Sequence, residues 1–290
     1  MRPIGPINPH GTNGTYGTNG THEIQNRERP IMPTITVDRP TRFDPALNAA
    51  RRALYRFAAL AFGDPLSGTW RQLTDARSQA CVRATCELLR DEPASLATTL
   101  GLGEVPPDQL DPEAVFTRLP ASSEELNAEY EQMFGLLVAA GCPPYETEFI
   151  DSKLSFQRSA ELADIAGFYR AFGIEPGAER PDHIALELDF MAVLIDLECR
   201  AATDEQFQVS RQAQADFIRD HLSWWVPTFA RLLAKENPDS VFAATGHLLC
   251  AFLPMERMRL DIPAPRTPVE SSLIEPPELA ESCAVCAACV

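Results

Sequence analysis

Residues able to do chemistry gather at four places in this sequence. At its C-terminal end Cys283, Cys286 and Cys289 form a C-x-x-C-x-x-C run, a spacing at which deprotonated thiols converge on zinc or an iron–sulfur cluster. Only three ligands are local, so a fourth has to come from Cys250, His247, a second copy or another protein. The alternative is a reduced tail with free thiols. A second group is Glu179-Arg180-Pro181-Asp182-His183. Asp182 can accept the two parallel bonds of an arginine fork, and His183 can donate, accept or change charge near neutral pH. The alternative is that Asp182 caps the next helix and His183 is a satisfied buried polar group. Glu187 follows His183 by one helical turn and Glu198 returns to nearly the same azimuth. A helical-bundle metal centre would need matching Glu and Glu-x-x-His sets on other helices. The sequence offers none, so this stripe reads as the lining of a peptide groove or as surface. The fourth group is Cys142-Pro143-Pro144-Tyr145-Glu146-Thr147-Glu148-Phe149, where a rigid bend, an aromatic ring and carboxylates suit an extended peptide. The competing reading has Tyr145 and Phe149 packed inward. No phosphate-binding glycine loop and no Ser-His-Asp or Cys-His set can be assembled, so catalysis has no sequence basis.

The elements that position these groups read as helices throughout. From Pro45 onward apolar residues recur at helical spacing and no run alternates with period two. Helices are expected over about 46–62, stopped by Gly63-Asp64-Pro65, and over about 69–90. The proline-rich stretch 101–120 reads as loop with one short helix. Ser122 through Glu125 forms a capping box ahead of Leu126, Tyr130, Met133, Phe134 and Leu137. A helix over about 155–172 ends at Gly173, and Pro181 opens another running to about Ala202, apolar on most sides. Pro227 is expected to kink or end a helix of about 206–226, and Pro254 to close a last helix begun at Asn237-Pro238. Cys81, Cys86, Cys199 and Cys250 fall on these helices and read as small buried hydrophobes. The fold expected is all-α, a single-domain helical bundle over 45–260. It is flanked by a Gly/Asn/Thr/Pro-rich tail over 1–44 and a Pro-rich tail over 261–290, both expected to be disordered.

Composition narrows the class. With 290 residues, 45% of them hydrophobic, the chain can bury one substantial core. Forty-one acidic against 25 basic side chains leave a formal charge of -16, which repels a phosphate backbone and favours cationic partners over nucleic acid. No stretch approaches the roughly 18–20 apolar residues of a membrane span. The first residues lack the charged start and apolar block of a secretory signal, so the chain is expected in the cytoplasm with its thiols reduced.

Four segments carry a resemblance: LYRFAALAFGDP (54–65), YEQMFGL with CPPYETEF (130–149), ELADIAGFYRAFGIEPGAERPDHIALELDFMAVL (161–194), and the run from FIRDHLSWW (217–225) to the last helix. In this order they are similar to the TorD/DmsD/NarJ-type maturation chaperones of molybdenum oxidoreductases, particularly those of type II enzymes of the dimethyl sulfoxide reductase family. The resemblance implies a TorD-like all-α fold, no catalytic activity and no required cofactor. It also implies binding of an apo catalytic subunit, through its twin-arginine leader or an unfolded surface, until molybdenum cofactor is inserted. It ties the Asp182–His183 pair to leader binding; the flanking Glu179, Arg180 and Pro181, the stripe residue Glu187, and Pro143, Pro144, Tyr145 and Glu146 of the other loop join them as candidate client-binding residues on their chemistry and position. Tyr55 matches an aromatic of the family's first helix, although its spacing with Leu54 and Phe57 also fits core. A metal carrier or metal-dependent enzyme built on the terminal cysteines is the rival reading.

Overall fold

In the computed structural model the protein is described over residues 2–3, 44–92, 99–135, 141–150, 155–175, 177 and 179–265. Its first helix, α1 (Pro45–Ala61), is started by local chemistry. Asp44 Oδ1 accepts the orphan amide of Ala46 at 2.8 Å, and Pro45 occupies a first-turn position that needs no donor. The expected 69–90 helix is two, α2 (Thr69–Thr74) and α3 (Ala76–Arg90). Asp75 between them takes an extended backbone and accepts the Ser78 amide at 2.8 Å, so a capping residue inside the periodic stretch restarts the helix. A single-turn helix, α4 (Glu113–Phe116), interrupts the proline-rich loop. In α5 (Ser123–Phe134) Ser122 accepts the Glu125 amide, and Glu125 reaches back to the amide of Ala121.

After α6 (Ser155–Ala171), Gly173 takes φ +69, the left-handed turn expected of it. The central helix α7 (Ile184–Arg200) starts later than Pro181 suggests, because His183 caps it: Nδ1 accepts the Ala185 amide at 3.1 Å. Next come α8 (Asp204–Phe217), a π-helical turn over Ile218–Leu222, and α9 (Val226–Glu236). Pro227 therefore opens a helix instead of ending one, since the first turn tolerates a missing amide. Pro254 does not close the chain's last helix but lies inside α10 (Val241–Arg259). The Cys250 carbonyl, which a proline at 254 leaves without its helical donor, accepts the amide of Val105 at 3.1 Å. A loop residue repairs the break.

Packing runs α3–α1–α7–α8, with α9 against α10 and α10 also touching α1. One continuous core joins Leu54, Phe62, Phe190, Phe217, Phe229 and Phe252. Tyr55 belongs to it: it is fully buried, and its ring meets Phe252 edge-on at 4.9 Å. That position fits packing rather than contact with a client. Buried charges are paired across long sequence distances. Arg51 on α1 donates to both Glu256 oxygens (2.6 and 2.8 Å) and to Gln214, and Arg257 pairs with Glu104. Cys86 and Cys250 are buried as expected, but Cys81 is exposed and Cys199 half-buried, on the outer sides of their helices.

Among the described residues the fold is all-α apart from one two-residue ladder in which β1 (Arg2–Pro3) pairs antiparallel with β2 (Ile174–Glu175). The expected disorder of 1–44 and 261–290 otherwise falls almost entirely outside the described residues. Ile262 is an exception, packing into the core with its amide on the Arg257 carbonyl at 2.8 Å.

Candidate functional site

The two loops singled out in the sequence are bound to each other. Tyr145 and His183 form an antiparallel bridge. The Glu146 amide donates to the Asp182 carbonyl and the Ile184 amide to the Pro144 carbonyl, both at 3.0 Å. Pro143 and Pro144 set the bend that makes this pairing local, and the Tyr169 hydroxyl secures the other strand by donating to the Pro181 carbonyl at 2.8 Å. Tyr169 was not singled out from sequence; its place on α6 reads as core.

Asp182 is fully buried beneath this clasp. Arg180 folds back onto it with Nε–Oδ1 3.0 Å and Nη2–Oδ2 2.8 Å, while Thr147 donates from its hydroxyl at 2.7 Å and its amide at 3.2 Å. The arginine fork that Asp182 was expected to accept is thus supplied by the chain itself. His183 carries the helix cap that had been considered for Asp182. Burial lowers the His183 pKa, and acceptance at Nδ1 fits the neutral ring with its proton on Nε2.

The outward face of the clasp holds three groups. Tyr145 is half-buried, lies edge-on to His183, and has the Arg180 guanidinium 4.1 Å above its ring. Its hydroxyl donates to exposed Glu179 at 3.2 Å. Glu148 bridges Arg158 (3.0 Å) and Arg180 (3.2 Å). Phe149, by contrast, packs inward on Trp225 and Phe229. The two readings of this loop therefore divide between its two rings.

Behind the clasp lies a polar centre in which Glu146 and Glu187, expected at a client surface, are instead fully buried beside His221, which the sequence did not single out. Glu146, fully buried, accepts from Trp224 Nε1 at 2.9 Å and faces His221 Nδ1 at 3.3 and 3.4 Å. Glu187 is also fully buried, and neither of its oxygens has a hydrogen-bond partner. Burial, then the neighbouring Glu146 carboxylate, pushes its carboxyl well above the usual range. Glu146 is raised for the same first reason, and is held down in part by His221. Glu198 does not join this centre; it sits at the far end of α7 with Gln214 and Asn48. Next to Glu146 an open cleft of about 540 Å³ is lined by Phe149, Ile150, Gln157, Glu161, Asp220 and Trp224. His221 lies within the FIRDHLSWW segment, one turn after Phe217 on the same buried face, but nothing in that spacing signals its meeting with Glu146. The terminal cysteines lie outside the described residues. Cys250, considered as their fourth ligand, is buried with its thiol pushed up to about 12.

Fold and site together define an all-helical protein with a clasped loop pair beside an acidic, aromatic cleft. A family model described as nitrate reductase delta subunit matches residues 106–231, which contain the whole of this site. The chaperone protein TorD of Aliivibrio salmonicida is 28% identical over 134 residues, 46% of this chain and 62% of that protein. The TorD of a Psychrobacter species is 28% identical over 223 residues, covering 74% of this chain and 94% of the relative. The selenate reductase assembly chaperone of Thauera selenatis is 35% identical over 113 residues, 38% and 58% of the two chains. Over the segment that holds the site the chain is therefore similar to TorD/NarJ-type chaperones. It spans about three fifths of the length of the first TorD relative it matches.

Proposed function

We propose that this protein is a cytoplasmic maturation chaperone that binds the apo catalytic subunit of a dimethyl sulfoxide reductase family molybdoenzyme. It binds without catalysing a reaction, holds the subunit's twin-arginine leader or an unfolded surface, and releases it after molybdenum cofactor insertion. Release follows when the loaded subunit loses its differential affinity for the chaperone. The observation that carries this reading is the outward face of the clasp. Tyr145, exposed Glu179 and the adjoining Phe149/Trp224 cleft put aromatic surface and carboxylates side by side, a combination suited to an arginine-bearing apolar segment. The family match over the same residues supports it, as does the acidic surface. In described helices no segment is long and apolar enough to cross a membrane, which is compatible with this role.

The test is co-purification from the native host of the tagged full chain. The expected partner is a molybdenum-free catalytic subunit still carrying its leader, absent once cofactor is loaded. Recovery of the chain only as a stoichiometric part of the mature, cofactor-loaded enzyme would contradict a transient chaperone.

A further inference from the structure

The buried centre behind the clasp is larger than client binding requires. Four elements converge there: Glu146 from the turn over Glu146–Phe149, Glu161 and Asp164 from α6, Glu187 from α7, and His221 from the π-helical turn. One ligand atom each from Glu146, Glu161 and His221 lies within 4.8 Å of the others. His221 Nδ1 stands 3.3 Å from Glu146 Oε2 and 3.5 Å from Glu161 Oε1. These spacings are long for charge-assisted hydrogen bonds, which close to about 2.7–2.9 Å. They match the edge of a coordination tetrahedron: ligands about 2.0–2.1 Å from zinc stand about 3.3–3.4 Å apart.

Independent features point to the same missing occupant. Glu187 is fully buried beside Glu146, and neither of its oxygens has a hydrogen-bond partner, a state that ordinarily costs too much to be left uncompensated. The supporting shell is also laid out. Trp224 fixes one oxygen of Glu146 and leaves Oε2 facing His221. Asp164 Oδ2 lies 3.5 Å from His221 Nε2, the carboxylate position behind a metal-ligating imidazole. Glu161 and Trp224 line the open cleft, which gives an entry path.

We propose that Glu146, Glu161 and His221 bind one zinc-class divalent cation at the floor of the Phe149/Trp224 cleft, with Asp164 orienting His221. The oxygen and imidazole donors suit zinc, cobalt or iron in the divalent state rather than a soft thiolate-bound ion. A bound cation compensates the buried Glu146 carboxylate and locks the Glu146 turn to α6. It thereby fixes the cleft wall next to Tyr145.

The test uses the full chain with Cys283, Cys286 and Cys289 replaced by serine, so that the terminal thiols cannot hold the metal. Cobalt(II) is titrated in and followed by its visible d–d absorption. One equivalent should produce the bands of a low-coordinate site, and zinc should displace it. His221→Gln should abolish the bands. Glu161→Gln alters a partly exposed rim residue and so leaves the fold intact; it should weaken cobalt at least tenfold. Asp164→Asn, behind the imidazole, should weaken it about 10–100-fold. Absence of bands at one equivalent, or bands unchanged in both Glu161→Gln and Asp164→Asn, would overturn the proposal. The readout involves no client, so its failure leaves the client-binding reading untouched.

Discussion

Replacing Arg180 by alanine isolates what holds the clasp together. Arg180 supplies two bonds to Asp182 and one to Thr147 Oγ1 at 2.8 Å, an ion pair to Glu148, and a cation over the Tyr145 ring. Without it, Asp182 remains buried with only the hydroxyl and amide of Thr147 as donors. Removing one partner of a fully buried pair costs about 3–5 kcal/mol. The Arg180 side chain is 40% exposed, so solvent screening reduces this to about 2–3 kcal/mol. With a urea slope of roughly 2–3 kcal/mol/M for a chain of this size, the unfolding midpoint should fall by about 1 M. In a double-mutant cycle with Asp182→Ala, the two changes should couple by about 1.5–3 kcal/mol, because the double variant no longer strands a charge. If Arg180→Ala cost under about 0.5 kcal/mol, or the two changes were additive, Asp182 would be independent of Arg180. The carboxylate would then be free to receive a client guanidinium, and the geometry argued above would be wrong.

Other consequences follow from burial. Arg51→Ala should destabilise by about 3–5 kcal/mol in the same assay, since Glu256 is left buried and unpaired, whereas Arg51→Met combined with Glu256→Leu should restore much of the loss. Native alkylation followed by peptide mapping should modify Cys81, which is exposed, and spare Cys86, Cys142 and Cys250, whose thiols burial pushes up to about 12. Leu54→Ala, a truncation at 0% exposure in the α1 core, should cost about 2–5 kcal/mol by calorimetry or denaturation.

The helical architecture was legible because its signals are local. Asp44, Ser122 and Gly173 each cap or end a helix with atoms of their own neighbourhood. The prolines were harder, since a proline reports a missing amide but not which side of it the helix lies on. Pro227 begins α9, and Pro254 survives inside α10 because Val105, about 150 residues earlier, supplies the lost hydrogen bond. The site divides in the same way. The segments 142–149 and 179–183 were both recognised, and the structure joins them through three residue pairs. Their internal chemistry was not legible. Arg180 and Asp182 are two apart in a loop, and no periodicity says that one folds back on the other. His221 follows Phe217 by one turn on the same buried face, so periodicity reads it as core and does not say that Glu146 meets it there. Asp182 and His183 are consequently placed as supports, and the outward groups Tyr145 and Glu179 are the ones proposed to meet a partner.

That distinction is tested most directly by the affinity of the full chain for a synthetic leader peptide bearing paired arginines, measured by fluorescence anisotropy at fixed ionic strength. Tyr145→Ala and Glu179→Gln should each weaken binding about 5–10-fold, roughly 1–1.4 kcal/mol, with unfolding midpoints close to the parent's. Undiminished affinity in both variants, with loss only on replacing buried Asp182 by asparagine in a protein that stays folded, would contradict the account.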